Sequence, residues 1–212
     1  MKDKKVIGLT GTYCAGKNHV ALLLEQRFLP VLDLDKLGHE VIEAEKDRLL
    51  KRFGEDILGP HGQVDRKRLG AKVFGKLSEL AALEEIIHPE VNRKNIDWIN
   101  AREGQACVIN AALLHRSSAF DLLDAIIIVE APFLIRLLRA RKRDGLPWLT
   151  LLKRFRSQRQ FNSQYFREKT DIYRVKNSGY SGFCKRSTMN KPEKSLEKSI
   201  DEILSLKGIT RV

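Results

Sequence analysis

The sequence predicts an α/β fold built on a parallel sheet, and three observations carry the prediction. Five short apolar runs, at Val6 to Leu9, Pro30 to Leu34, Ala106 to Ala111, Ala125 to Val129 and Ile172 to Val175, read as strands. Between them apolar residues recur at three- and four-residue intervals, the period of a helix. A glycine-rich stretch joins the first run to the helical pattern Val20-Ala21-Leu22-Leu23-Leu24.

That stretch reads Gly11-Thr12-Tyr13-Cys14-Ala15-Gly16-Lys17-Asn18, followed by His19. A Gly-x4-Gly-Lys loop between a strand and a helix turns successive backbone N–H groups inward, sets them against the positive end of the helix, and lets the lysine reach the β- and γ-phosphates of a nucleotide. Gly11 to His19 are therefore the candidate nucleotide-binding residues, with Lys17 a candidate catalytic group. Asn18 stands where Ser or Thr normally presents a hydroxyl to Mg²⁺, so its amide oxygen is the candidate metal ligand. Cys14, among inward N–H groups and near Lys17, is expected to have a lowered thiol pKa and to be open to oxidation, unless it is simply a small filler.

After the second run comes Asp33-Leu34-Asp35. At the carboxyl end of a parallel strand, residues two apart share a face, so both carboxylates can point into the ligand crevice. One is a candidate base for an acceptor hydroxyl, the other a candidate to orient Mg²⁺ or water. Asp35 precedes a helical run and serves equally well as a helix cap.

Residues 36–105 then read as a helical insertion. Leu49-Leu50, Phe53, Leu69, Val73-Phe74, Leu77, Leu80, Leu83 and Ile86-Ile87 keep helical spacing and are core, Gly54, Gly59-Pro60 and Gly62 punctuate it, and His88-Pro89 marks the end of one helix and the start of another. Following the fourth run, residues 132–167 form a helical arm broken at Asp144-Gly145-Leu146-Pro147, suited to a mobile lid. Arg139 and Arg143 lie four apart on one face of it, able to converge on a phosphate chain, and Arg154 and Gln158 repeat the spacing. A guanidinium suits the spread negative charge of phosphoryl transfer. Asn177-Ser178-Gly179 follows the last strand; it can contact an adenine ring through backbone groups or serve only as a turn. A polar loop, Ser178 to Pro192, leads to a final helix from Glu193 to about Leu206.

The excess of 39 Lys and Arg over 27 Asp and Glu gives a net charge of +12, which favours a polyanionic partner. Much of it lies between Arg136 and Arg174. The aromatics there, Trp148, Phe155, Phe161, Tyr165 and Phe166, form no RNA-binding signature, so phosphorylated metabolites are preferred over nucleic acid. Cys14, Cys107 and Cys184 are too scattered for a disulfide framework or a metal site. No apolar run approaches the roughly 18 residues of a membrane span, and Met1-Lys2-Asp3-Lys4-Lys5 is not followed by a signal-type segment. A cytoplasmic location is expected, as a monomer or weak homo-oligomer.

Taken together these residues resemble the dephospho-CoA kinase family of P-loop kinases. The resemblance is carried by Gly8-Leu9-Thr10-Gly11 with Gly16-Lys17, Asp33-Leu34-Asp35-Lys36 with His39-Glu40-Val41, Phe53-Gly54, and Gly62-Gln63-Val64-Asp65-Arg66 leading to Leu69 and Val73-Phe74. It continues through Leu83-Glu84, Ile87-His88-Pro89, Leu113-Leu114, Arg139 with Arg143, Arg154 with Gln158, and Thr170-Asp171 leading to Asn177-Ser178-Gly179. The order and spacing are more specific than any one later motif.

The resemblance implies a three-layer P-loop kinase fold with a five-stranded parallel sheet: residues 1–35, 106–131 and 168–212 as core, 36–105 as acceptor-binding insertion and 132–167 as lid. It implies transfer of phosphate from Mg-ATP to the ribose 3′-hydroxyl of dephospho-CoA, the last step of coenzyme A biosynthesis. Asp35 matches the family's proposed base, Lys17 and the loop hold phosphates, and Arg143 or Arg139 acts from the lid. Asn177 is the candidate contact to ATP after the last strand, and Asp33, His88, Arg154 and Gln158 are the candidates for acceptor binding. The loop and lid alone also permit a nucleoside monophosphate type of kinase.

Several residues depart from the family's pattern. Asn18 and His19 replace hydroxyl residues, and Thr12-Tyr13-Cys14 replaces a smaller Gly-Ile-Gly-like stretch. Asn110-Ala111-Ala112-Leu113-Leu114-His115-Arg116 replaces a segment that usually opens on an aspartate and closes on a glutamate. These changes leave open a diverged, non-catalytic nucleotide-binding protein.

Overall fold

The computed structural model describes residues 4–102, 104, 106–157, 170–179 and 191–209. Two compact units emerge, one formed by Met1–Val31 with Arg102–Val212, the other by Leu32–Ala101. Each is described by itself.

The first unit carries a five-stranded sheet of order β2-β3-β1-β4-β5. Its strands are β1 (Val6–Gly11), β2 (Val31–Asp33, whose first residue opens from this unit), β3 (Cys107–Asn110), β4 (Ala125–Glu130) and β5 (Asp171–Lys176). The pairs β1–β3, β1–β4 and β4–β5 are parallel. The central strands β3, β1 and β4 are buried almost without interruption, which is why they read as continuous apolar runs instead of alternating ones. Helices α1 (Lys17–Glu25) and α8 (Lys191–Leu206) pack on the sheet, bringing Val20, Leu23, Leu24, Leu196, Ile200 and Ile203 onto Ile7, Leu9, Val108 and Ile127. Arg27, with a side chain only 6% exposed, pairs with Asp201 at 2.6 Å and ties the end of α1 to α8. The last helix starts at Lys191, two residues before the expected Glu193, because a proline in the first turn forgoes an N–H that has no helical partner there.

Helices α6 (Phe133–Asp144) and α7 (Trp148–Ser157) form the arm after β4. Gly145 closes α6 in the left-handed region, φ 66°, donating its N–H to Arg141. Ala140, Leu151 and Phe155 make a small core of their own, joined by Tyr13 and Cys14 from the loop after β1.

The second unit contains α2 (Leu34–Ala44), α3 (Lys46–Phe53), α4 (Arg66–Val73) and α5 (Leu77–Asn100). Leu37, Val41, Leu49, Phe53, Ile57, Leu69, Val73 and Ile87 form its core. Two expectations fail in it. Asp33 and Asp35 do not share a strand face: the helix begins at Leu34, so Asp33 is the cap, accepting from the N–H groups of Asp35 at 3.0 Å and Lys36 at 3.2 Å, and Asp35 lies in the first turn. Nor does His88-Pro89 separate two helices. The 24-residue α5 runs through Pro89, which gives up one backbone N–H donor while the flanking turns pack on α2, α3 and α4. Among the described residues no helix is long and apolar enough to cross a membrane.

Candidate active site

In the first unit the chain leaves β1 at Gly11, turns through Thr12 to Gly16 and enters α1 at Lys17. Cys14 and Gly16 both adopt the left-handed region, φ 58° and 93°. This conformation curls the loop, with Ala15 donating its N–H to the Thr12 carbonyl at 2.9 Å and Thr12 to that of Val129 at 3.4 Å, and Gly16 caps α1 without a side chain. Gly16 is required twice over, because a Cβ there would also sit 2.2 Å from Asn177 Nδ2. At Gly11 a Cβ would lie 2.8 Å from the Val129 carbonyl oxygen of β4.

The loop is held from behind by Arg139 and Asn177. The Arg139 guanidinium donates to the carbonyl oxygens of Cys14 at 3.3 Å and Ala15 at 2.9 Å, and to both the carbonyl and the Oδ1 of Asn177 at 3.2 Å. It also donates to the Gly179 carbonyl. Asn177, buried, donates Nδ2 to Ala15 at 3.0 Å and its backbone N–H to Glu130 at 2.7 Å. Residues 177–179 leave β5 as irregular chain, and the backbone N–H and carbonyl of Asn177, expected to contact an adenine, engage Glu130 and Arg139. Arg139 and Arg143 likewise do not converge on one point.

Arg143 and Arg154 gather elsewhere, around the Asp144 carboxylate. Arg143 donates from Nε at 2.7 Å and from NH2 at 3.3 Å, Arg154 donates from NH1 at 3.3 Å, and the Tyr13 hydroxyl completes the set. Arg154 NH1 also reaches the Tyr13 oxygen at 3.4 Å. The Tyr13 ring is fixed on both sides, edge-on to Phe155 at 5.2 Å and under the Arg143 guanidinium at 5.0 Å. Hydrogen bonding from Arg143 holds the Asp144 carboxyl below the usual range despite partial burial, while burial and the Asp144 carboxylate push the Tyr13 phenol up.

The same environment corrects the expectation for Cys14. Its thiol is pushed up, not down: burial outweighs the opposing pull of Arg143, Arg139 and Arg136, and Asp144 adds to the rise. Nearness to arginines does not activate a thiol that has lost its water.

At the expected metal corner, Asn18 is exposed at the start of α1 and its Oδ1 accepts from Asn110 Nδ2 at 3.4 Å. Asn18 and Asn110 present neutral amides there, and among the described residues no group of three or more His, Cys, Asp or Glu side chains is placed to hold a metal. Lys17, the first residue of α1, is half-buried, and His19 lies two residues further on, also half-buried.

In the second unit, Asp35 lines a cleft of about 270 Å³ with Leu34, His39, Glu84, Ile87 and His88. Asp35 and His39 are four apart on α2, Glu84 and His88 four apart on α5, so each helix presents a pair to the same space. The structure thus brings together Asp35 and His88, while Asp33 is engaged as the helix cap. His39, hydrogen-bonded at 2.8 Å to Arg66, and Glu84 were not singled out as site residues; the repeated acid–histidine spacing was the signal that could have found them. Gln158 and most of the 178–192 loop, with Cys184, lie outside the described residues.

Comparison with known proteins agrees with this geometry. The family described as dephospho-CoA kinase matches residues 5–180. A dephospho-CoA kinase of Shouchella clausii is 37% identical over 146 residues, covering 66% of this chain and 74% of that protein. One of Treponema denticola is 30% identical over 200 residues, 89% of each chain. A crystal structure of a Thermus thermophilus protein superposes with a TM-score of 0.76 at 30% identity, over 96% of this chain and 97% of that one. A parallel sheet with a phosphate loop, a helical unit between β2 and β3, and a match of this extent have one common reading: this chain belongs to the dephospho-CoA kinase family, a family of P-loop kinases that use ATP.

Proposed function

We propose that this chain transfers the γ-phosphoryl group of ATP to the ribose 3′-hydroxyl of dephospho-CoA, giving coenzyme A and ADP. The observation that carries the reading is the loop from Gly11 to Lys17, curled by two left-handed residues ahead of α1 in a chain of this family. Lys17 and the loop N–H groups bind the β- and γ-phosphates. Asp35 accepts the proton of the acceptor hydroxyl as its oxygen bonds to phosphorus and the bond to the ADP oxygen breaks. His88, His39 and Glu84 line the acceptor side within residues 36–105, and Asp33 acts through Asp35 by fixing the helix that carries it.

From the lid, residues 132–167, Arg143 offsets charge on the transferred group and Arg154 and Gln158 bind substrate; Arg139 positions the loop. Bound Mg²⁺ would neutralise phosphate charge, and the neutral oxygen of Asn18 is the group on this chain that fits it, most of the ion's ligands coming from phosphate and water. A cytoplasmic location belongs to the same proposal.

The test is ADP release coupled to dephospho-CoA, ATP and Mg²⁺, run beside Asp35→Asn. Wild-type turnover with a loss of about a hundredfold or more in the variant is expected. Near-wild-type rates in Asp35→Asn remove the base assignment. The Asn18–Asn110 hydrogen bond favours one second reading, a nucleotide-binding protein that has lost transfer: ATP binding without transfer to dephospho-CoA or to nucleoside monophosphates would establish it.

A further inference from the structure

Three elements place a donor on one carboxylate: Tyr13 from the phosphate loop, Arg143 from α6 and Arg154 from α7 all meet Asp144. Asp144 is the last residue of α6, where a negative charge opposes the helix dipole, so the helix itself gains nothing from it. Its side chain is only 15% exposed, whereas those of Arg143 and Arg154 are 59% and 52% exposed. The arginines therefore face solvent and turn inward onto a half-sequestered anion. A carboxylate and a phosphate oxygen pair present the same acceptor geometry to a guanidinium fork.

We propose that Asp144 competes with the phosphate chain of a nucleotide for Arg143 and Arg154, and that the Tyr13 hydroxyl fastens this internal anion to the phosphate loop, making a latch between loop and lid. The inference rests on the kinase reading above. Tyr13 suits the role because its ring cannot swing freely: Phe155, part of the lid core, holds one edge and Arg143 covers a face, so the hydroxyl is aimed at Asp144. Nucleotide arrival exchanges one anion for another at the same guanidinium groups. Asp144 and Tyr13 are positioning residues, acting through the arginines and not on the substrate.

The deciding measurement is calorimetric binding of ATP to the full chain, with thermal unfolding in parallel, for wild type, Tyr13→Phe and Asp144→Asn. Tyr13→Phe keeps the ring contacts and loses the hydroxyl's hydrogen bonds with Asp144 and Arg154, so ATP should bind about two- to tenfold more tightly. Asp144→Asn, which removes the competing negative charge, should tighten binding by about tenfold. A purely structural role predicts the opposite, weaker or unchanged ATP binding, whatever the change in unfolding temperature. Unchanged or weakened affinity in Asp144→Asn, with wild type binding ATP, overturns the latch and leaves the kinase reading intact. Tightening in Asp144→Asn without any in Tyr13→Phe overturns the fastening to the loop alone. No ATP binding by wild type removes the kinase reading and the latch together. If Tyr13→Phe does not fold, Asp144→Asn decides for the competition.

Discussion

The side-chain amide of Asn177 donates to the carbonyl oxygen of Ala15 at 3.0 Å, joining the segment after β5 to the back of the phosphate loop. Asn177 cannot yield, because its N–H, Oδ1 and carbonyl are all engaged. Gly16→Ala therefore meets an immovable neighbour as well as a φ of 93°. The expected cost is about 1–3 kcal/mol of stability, read by chemical denaturation, together with weakened ATP binding. An unshifted midpoint with undiminished affinity would sink this account of the loop.

Arg139 contacts carbonyl oxygens on two segments at once, a geometry that needs the planar fork. Arg139→Lys should raise KM for ATP several-fold, nearly as much as Arg139→Ala, with the smaller change in kcat. A fall in kcat at constant KM would instead return Arg139 to direct action on the transition state.

Asn18→Thr restores the hydroxyl usual after the loop lysine. Higher turnover or a lower Mg²⁺ requirement is expected in steady-state kinetics. No gain in either counts against Asn18 as the metal ligand.

The Asp144 cluster predicts a pH signature. Hydrogen bonding from Arg143 holds its carboxyl below the ordinary aspartate range, so the native state favours the ionised form. The stabilisation is present above the unfolded pKa, near 4, and is lost as pH falls through the lower folded value. The difference in unfolding temperature between wild type and Asp144→Asn should thus persist at pH 7 and shrink below about pH 4. A gap that stays constant down to pH 2 would show that Asp144 is held by something other than its charge.

Cys14 should be slow to alkylate. Its raised pKa leaves less thiolate at neutral pH than a free cysteine has, and the rate should climb only at a pH above the ordinary thiol range. Peptide mapping after iodoacetamide treatment checks this; labelling faster than free cysteine at pH 7 would reverse the assignment.

Short-range pattern made much of this protein legible. The central strands β1, β3 and β4 are readable because both faces are buried, leaving uninterrupted apolar runs, and the loop is readable because glycine and lysine at fixed offsets reflect backbone needs within a few residues. Errors arose where local pattern admitted two answers. Asp33-Leu34-Asp35 suits a strand end or a helix start, and the hydrogen bonds from Asp33 to the first turn decide for the helix. Pro89 reads as a boundary, yet the burial of Ile87 and Asn95 on either side of it carries α5 through.

The chain's own order of residues determined the fold class, the phosphate loop, the acid before the helical unit and the basic arm, since each depends on neighbours in sequence. What those side chains touch was decided only by tertiary structure. Arg139 finds Ala15 across 124 positions, and Tyr13 finds Asp144 across 131, distances over which sequence carries no geometric information. Four-residue spacing put Arg139 and Arg143 on one helix face, but packing assigned them opposite work: one turns beneath the loop, where buried carbonyls need donors, and the other lies over Tyr13 in reach of a carboxylate. Cys14 shows the same division, because its arginine neighbours would lower its pKa in water and its burial, which no local pattern reveals, raises it.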